Sequence, residues 1–281
     1  MYYNIVMELK CEGLSAGYDN KIVLSNISFS LSSGDFVCLC GPNGSGKSTL
    51  LSVLSQLNDK DLKINSGSVL ISQQSSEPHN LIPLSSLSAK ERAKKIAFMQ
   101  QAEFSTWDFT VFDFVLQGRF AYSKNGWYSD DDKIITSECL QELGLSDFST
   151  RTIHALSGGE FQKVRIARAL AQQPAFMLLD EPAANIDFVY EPKLLEFLKE
   201  LAERKNIGII LSIHDVNLAA LYAKKLALLS PCSDHDSGSS SFLFGPTEEI
   251  FTEENLSKAF GTKLHTYTHQ IYNKLQVTHE Q

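Results

Sequence analysis

Eight consecutive residues, Gly41-Pro42-Asn43-Gly44-Ser45-Gly46-Lys47-Ser48, fit the spacing G-x-x-x-x-G-K-[ST] without a mismatch. The chemistry this spacing offers is the holding of phosphate. Glycines at 41, 44 and 46 let the backbone curl so that several N–H groups converge on one point, and a helix N-terminus adds its positive end. Lys47 supplies a point charge for β- and γ-phosphates, and the Ser48 hydroxyl is placed to ligate Mg²⁺, with Thr49 beside it. A metal at a phosphate needs a carboxylate as well. Phe176-Met177-Leu178-Leu179 runs into Asp180 and Glu181. Asp180 is the candidate to hold the metal through water, and Glu181 the candidate to polarise an attacking water. Alone, the pair also reads as two solvated acids at a strand end; beside a phosphate loop the chemical reading prevails.

Such groups work only if elements bring them to one edge. Phe36 to Cys40, Phe176 to Leu179, Gly208 to Ile213 and Leu226 to Leu229 are short apolar runs of the kind that form buried parallel strands. Helical periodicity lies between them. Leu50, Leu51, Leu54 and Leu57 share one face after Lys47, and Gly159 to Gln172 reads as a helix with Val164, Ala167 and Leu170 in register and Arg165 and Arg168 outward. Strands alternating with helices predict an α/β fold around a parallel sheet. In such sheets, ligands bind at the carboxyl edge, where Asp180 would emerge. Val111 to Leu145 breaks the series. It is helix-patterned and aromatic, and it reads as a separate helical lobe.

The 281 residues predict about two units and an ample core. The formal charge is −8, from 25 Lys and Arg against 33 Asp and Glu, which argues against general nucleic-acid binding. No apolar stretch approaches the roughly 20 residues of a membrane span, and Met1 to Lys10 lacks the form of a secretory signal. Five scattered cysteines, Cys11, Cys38, Cys40, Cys139 and Cys232, suggest a reducing compartment. Cys38 and Cys40 read as strand packing. Ser72 to Pro83 and Ser230 to Ser241 read as inserted, exposed loops. Asp234-His235-Asp236 in the second is a weak metal candidate, outweighed by a solvated Ser/Gly loop. Leu264 to Ile271 alternates as a surface strand with His265 and His269 on one face; metal binding or regulation there is the lesser reading.

Leu156-Ser157-Gly158-Gly159-Glu160 precedes the helix through Arg168-Ala169-Leu170. With the phosphate loop upstream, it resembles the signature motif of the ATP-binding subunits of ABC transporters. Glu160 stands where many members carry Gln. Ser157 and the N–H groups of Gly158 and Gly159 open a helix, so they make a second anion site. Further residues resemble the family's landmarks in order. Tyr18 lies where an aromatic ring stacks on adenine. Gln101, after Ile96 to Gln100, matches the Q-loop glutamine; Gln100 leaves a one-residue ambiguity, and alignment on the apolar run favours Gln101. Asp187 matches the D-loop aspartate, though the pair usual before it is replaced. His214 matches the histidine that contacts the γ-phosphate.

The resemblance spans about Leu9 to Leu229 and extends weakly to Gly261. It implies a P-loop NTPase (RecA-like) core with an antiparallel β-subdomain and an inserted α-helical subdomain. The expected division is 1–101 and 173–230 for the core, 102–172 for the helical subdomain with the signature, and 231–281 for a tail. It implies ATP and Mg²⁺, the ion being held by Ser48, Gln101 and, through water, Asp180. Lys47, Gln101, Glu181 and His214 are the implied catalytic set. Gly41 to Thr49, Tyr18, Ser157 to Glu160 and Asp187 are the implied nucleotide contacts. Two copies are expected head to tail, each signature capping the ATP of the other. One ATPase unit without a membrane part fits a separate importer subunit on the cytoplasmic face of the inner or plasma membrane, bound to a multi-span permease and through it to a substrate-binding protein. Phe109-Thr110-Val111-Phe112-Asp113, Gly118-Arg119 and Gly245 to Leu256 resemble importers of iron-siderophores, haem and cobalamin. Zinc or manganese importers, and a non-transport ABC ATPase, are the alternatives. Trp107, Phe109, Phe112, Phe114, Phe120, Tyr122, Trp127 and Tyr128 are expected to be mostly lobe core, with a minority exposed at the permease.

Overall fold

Two long strands, β1 (Glu8–Tyr18) and β2 (Lys21–Ser32), pair antiparallel with Glu8 opposite Ser32 and Tyr18 opposite Lys21. Leu9, Cys11, Leu14 and Ala16 of β1 turn inward, as strand alternation dictates on a half-covered sheet. The computed structural model describes residues 6–19, 21–56, 61–72, 80–101, 107–184, 186–231 and 241–279. After β3 (Phe36–Cys40), β4 (Leu62–Ser72) and β5 (Leu81–Pro83) complete a four-stranded sheet in the order β2-β1-β4-β5.

The second sheet holds β3 at its centre. With β6 (Ile96–Met99), β7 (Phe176–Leu179), β8 (Gly208–Ser212), β9 (Lys225–Leu229) and β10 (Phe242–Pro246) it runs β10-β9-β3-β8-β7-β6. All pairings are parallel except β10 on β9. The four expected strands are present, each within a residue of its apolar run. Their side chains part with period two. Cys38, Cys40, Met177, Leu179, Ile209 and Leu211 enter one core, and Val37, Leu39, Leu178 and Ile210 enter the other. The second core is closed by α1 (Lys47–Ser55), through Leu50, Leu51 and Leu54, and by the antiparallel sheet. Leu57 lies outside the described residues.

Short α2 (Ala89–Lys95) leads into β6. Between β6 and β7 the described elements are helical apart from two isolated bridges: α3 (Val111–Leu116), α4 (Asp130–Glu142), α5 (Gly158–Ala171) and 3₁₀ segments at Gln117–Tyr122, Ser146–Phe148 and Ile153–Ala155. Phe114 is the one fully buried aromatic among those expected in this region; Trp107, Phe120 and Trp127 are exposed, and Phe109 and Phe112 pack at the core's edge. The exposed aromatics are thus a minority, three of the eight, and the other five are buried or half-buried.

The expectation that Arg165 and Arg168 face outward does not hold. Arg165 is only 4% exposed, and Arg168 stacks over Phe114. Helix α5 is flanked by α3, α4 and β6, so it has almost no solvent face. Arg165 is tolerated there because its guanidinium donates to the carbonyls of Gln100 and Gln101 and to Gln162 Oε1.

After β7 come α6 (Glu191–Lys205), α7 (Val216–Tyr222), α8 (Thr247–Ile250) and α9 (Glu253–Phe260), and the chain ends on a hairpin of β11 (Leu264–Thr268) and β12 (Leu275–His279). The two serine-rich segments are corrected at their ends. Ser72 closes β4, its Oγ accepting the Glu8 N–H at 2.7 Å, and Leu81–Pro83 is a strand. Ser230 N–H donates to Ser241 O at 3.0 Å, so the second segment connects β9 to β10. Turn-forming side chains masked the edge pairing. Asp234, His235, Asp236 and Cys232 lie outside the described residues. The four described cysteines are buried and unpaired, and burial pushes the Cys40 thiol up to about 12. β11 stops at Thr268, so His269 sits beyond it in the turn, stacked near Tyr272, rather than on a face shared with His265. Among the described residues no helix is long and apolar enough to cross a membrane.

Candidate functional site

β3, β8, β7 and β6 are neighbours and parallel, so their C-terminal ends lie on one edge of the sheet. From that edge emerge Gly41 after β3, His214 after β8, Asp180-Glu181 after β7 and Gln101 after β6. This is where an open parallel sheet binds ligands. The topology thus gathers residues up to 173 positions apart (214 − 41).

The loop from Gly41 to Gly46 needs its glycines at two points. A Cβ on Gly41 would stand 2.1 Å from Leu229 O, and one on Gly46 would stand 2.9 Å from Val23 Cγ1. Gly46 also caps α1 at φ 102°, a left-handed conformation. Lys47 is folded back into the loop. Its Nζ donates to Gly41 O at 2.8 Å and to Pro42 O at 3.1 Å. Burial holds its amine below the ordinary value, while the charges of Glu181, Cys40 and Asp180 pull the other way. Ser45 is buried, and its Oγ has no hydrogen-bond partner among the described residues. A cleft of about 540 Å³ opens before the loop, bordered by Asn43, Gly44, Lys47, Ser48, Thr49 and, across it, Gln101, Glu181 and His214.

Glu181 is clasped from two sides. Gln101 Nε2 donates to Oε2 at 2.6 Å, and His214 Nε2 lies 2.6 Å from Oε1. The Glu181 backbone has φ 48°, a costly conformation for a residue with a side chain, and such strain concentrates at working sites. Ser212 fixes it there. Its Oγ accepts the Glu181 N–H at 2.8 Å and donates to Asp180 Oδ1 at 2.7 Å. Asp180 is buried just behind the cleft wall. Of the two glutamines, Gln101 presents its side chain to the site and Gln100 gives its carbonyl to Arg165.

Other expected residues stand apart. Ser157 caps α5 in a capping box with Glu160: Ser157 N–H and Oγ both donate to Glu160 Oε2 at 2.7 Å. Those bonds from Ser157 hold the Glu160 carboxyl below its ordinary value. Neither these two nor Gly158 and Gly159 border the cleft. Asp187 is exposed, its Oδ1 accepting the Val189 N–H at 3.2 Å. Tyr18 is half-buried at the end of β1 and does not border the cleft; Val23 of β2 does. Sequence patterning missed Val23 and Ser212, since each acts through contacts distant in the chain. Behind Glu181 a smaller hollow of about 210 Å³ is bordered by Glu191, Leu195, Ser212, His214 and Asp215. Burial raises the Glu191 carboxyl above its ordinary value, the charge of Asp215 adds to this, and His214 opposes it.

Among the described residues no three His, Cys, Asp or Glu side chains cluster as a metal site. A site of one carboxylate, hydroxyls and an amide beside a phosphate cradle suits Mg²⁺, which binds through one or two carboxylates together with substrate phosphates.

The geometry is that of a phosphate loop with a second, separate helix-start motif, and comparison with known proteins gives the family. Residues 24–184 match the ABC transporter family model. The chain belongs to that family, as one of its ATPases. It is 33% identical over 221 residues to the petrobactin import ATP-binding protein of Bacillus subtilis, covering 79% of this chain and 82% of that one. In structure it is similar to an inward-facing metal-chelate type ABC transporter, with a TM-score of 0.78, 27% identity and 96% of each chain covered. It is also similar to the dimeric structure of a bacterial ABC transporter cassette, with a TM-score of 0.64, 27% identity, and 78% of this chain and 93% of that one covered.

Proposed function

We propose that this chain is the ATPase subunit of an importer of a metal chelate of the iron-siderophore, haem or cobalamin kind. Two copies would work on a separate multi-span permease at the cytoplasmic face of the membrane, fed by a substrate-binding protein. The likenesses to a petrobactin importer subunit and a metal-chelate type transporter support the substrate class. The observation that carries the ATPase assignment is Glu181, held by Gln101 and His214 across the cleft from Lys47 and Ser48. The module is read as single: a core of 1–101 and 173–230, a helical subdomain of 102–172 and a tail of 231–281.

In this reading the loop N–H groups and Lys47 hold the β- and γ-phosphates of ATP. Ser48 and Gln101, with Asp180 through a water, would hold Mg²⁺, which neutralises charge on the phosphates when bound. Gln101 then exchanges its bond to Glu181 for one toward the nucleotide, which frees Oε2 to orient water for in-line attack. His214 steadies the other carboxylate oxygen and faces the transferred phosphoryl. Tyr18 would stack on adenine. Ser157, Gly158, Gly159 and Glu160 would meet the ATP of the partner copy, with Asp187 at the same interface. The capping bonds that Ser157 spends on Glu160 must then be shared with the incoming phosphate.

Glu181→Gln tests the centre of this reading. It keeps the size and one acceptor oxygen but loses the negative charge. ATP binding should persist, turnover should fall by about 10²-fold or more, and a two-copy closed form should accumulate on size-exclusion chromatography with ATP. Near-normal turnover would remove Glu181 from its role.

A further inference from the structure

The C-terminal hairpin is joined to the segment that carries His214. Asn217 stands in the first turn of α7. Its Nδ2 donates to Val277 O at 3.2 Å, and its Oδ1 accepts the Val277 N–H at 2.7 Å. One side-chain amide thus occupies both backbone groups of a β12 residue, as a neighbouring strand would. Gln276 Nε2 donates back to the Asn217 carbonyl at 3.2 Å, and Gln276 is only 6% exposed.

The connection continues toward the cleft. Asp215 caps α7, its Oδ1 accepting the N–H of Asn217 at 2.8 Å and of Leu218 at 3.2 Å. His214 is the next residue back. Its side chain is 55% exposed, so packing does little to hold it, and its place on Glu181 is set by the backbone on either side, the Ile213 N–H bonded to Leu39 O and Asp215 capping α7. The hairpin's other strand is tied to α9, where Glu253 Oε1 accepts the Thr266 N–H at 2.7 Å and Ser257 Oγ accepts the Leu264 N–H at 2.9 Å. The hairpin is therefore held at both sides.

We infer that the C-terminal hairpin is a positioning element of the ATPase site, with Asn217 and Gln276 as the positioning residues that hold His214 against Glu181. This rests on the role proposed above for His214. Small misplacements of a reacting group cost large rate factors, so a hairpin that releases α7 should slow hydrolysis without loss of nucleotide.

The test is a cycle on the full chain, reading steady-state ATP hydrolysis and nucleotide binding for Asn217→Ala, Gln276→Ala, His214→Ala and each pair with His214→Ala. Asn217→Ala is expected to lower kcat about ten-fold, with nucleotide Kd within about two-fold. In the His214→Ala background the same change should lower kcat no further, because the path it acts through is gone. Gln276→Ala leaves α7 intact and should show the same pattern if Asn217→Ala fails to fold. An unchanged kcat in both single variants, or an equal loss with and without His214, would overturn the inference while leaving the catalytic reading in place. Undiminished hydrolysis in His214→Ala alone would overturn the catalytic reading first, and the positioning role with it.

Discussion

At the scale of the residue, the site is built from side chains in uncomfortable settings. Lys47 is buried and its amine is held below the ordinary value, Glu181 has a left-handed backbone, and Ser45 carries a hydroxyl with no partner among the described residues. Such costs persist where the surroundings over-determine them. Glu191 belongs with this group, although no motif points to it. It starts α6 in a hollow shared with Glu181, Asp215 and His214, and burial followed by the charge of Asp215 lifts its carboxyl. A carboxyl raised in the folded state binds its proton more tightly there than when unfolded. Glu191 therefore favours folding below the unfolded value and loses that contribution as pH rises through the folded value. Glu191→Gln stays neutral at every pH. The variant should melt at a higher temperature than the wild-type chain at pH 7, and the gap should close toward pH 4. A melting curve equal to wild type at both pH values would show that Glu191 is not strained. The variant leaves Glu181, Gln101 and Lys47 untouched, so melting reads the strain apart from catalysis.

At the scale of the element, the helical lobe is fastened by a buried ion pair. Arg119, in the 3₁₀ segment after α3, reaches Asp132 on α4 at 2.9 Å, and both side chains are 5% exposed. Arg119 also donates to Ala171 O at 2.8 Å, so one guanidinium ties the segment to α4 and to the end of α5. Burial alone would raise the Asp132 carboxyl, but hydrogen bonds from Ser129 and Arg119 and the Arg119 charge bring it below its ordinary value. A depressed carboxyl contributes stability above its unfolded value and loses it as pH falls through the folded value. Arg119→Ala strands that charge, and should cost about 3–5 kcal/mol in urea unfolding at pH 7. The deficit should shrink on acidification, as Asp132 protonates. A loss below about 1 kcal/mol at pH 7 would mean that water has replaced the arginine. Sequence patterning marked Gly118-Arg119 only as a family likeness, because the partner lies on another helix. The same limit explains what was legible. Phe36–Cys40 and Phe176–Leu179 emerged from local hydrophobicity at their observed bounds, and the phosphate loop from its spacing. Ser212, Val23 and the Asn217–Val277 pairing depend on contacts 23 to 60 positions apart, which no local pattern records. Arg165 misled for the opposite reason: its helix has the period of an amphipathic surface helix but lies between neighbours on several sides.

At the scale of the whole molecule, the two helix starts to which the proposed function assigns phosphate do not face one cleft. The loop at Lys47 borders the cleft, and Ser157 on α5 does not. In the proposed reading one copy presents two half-sites. A head-to-tail pair would complete both, whereas a heterologous contact that failed to close would build a filament. This arrangement differs sharply in its consequences from a site completed within the chain by movement of the helical lobe. Lys47→Ala damages the phosphate loop alone, and Ser157→Arg blocks the α5 start alone while leaving nucleotide binding intact. Each variant by itself should be inactive, since every site in its pair includes the damaged half. Mixed in equal amounts, the two should form pairs in which the intact loop of the Ser157→Arg copy meets the intact Ser157 of the Lys47→Ala copy. If a single completed site turns over, random pairing leaves one good site in half of the pairs, and the mixture should recover about a quarter of wild-type hydrolysis. Recovery should grow with protein concentration at fixed ratio, because pairing is bimolecular. A site completed within one chain predicts no recovery at any concentration, since neither variant carries both intact halves. The magnitude of recovery also separates two designs of the pair: a value near one quarter means that the two sites fire independently, and a clear onset of nucleotide-driven pairing without hydrolysis means that both must be whole before either fires.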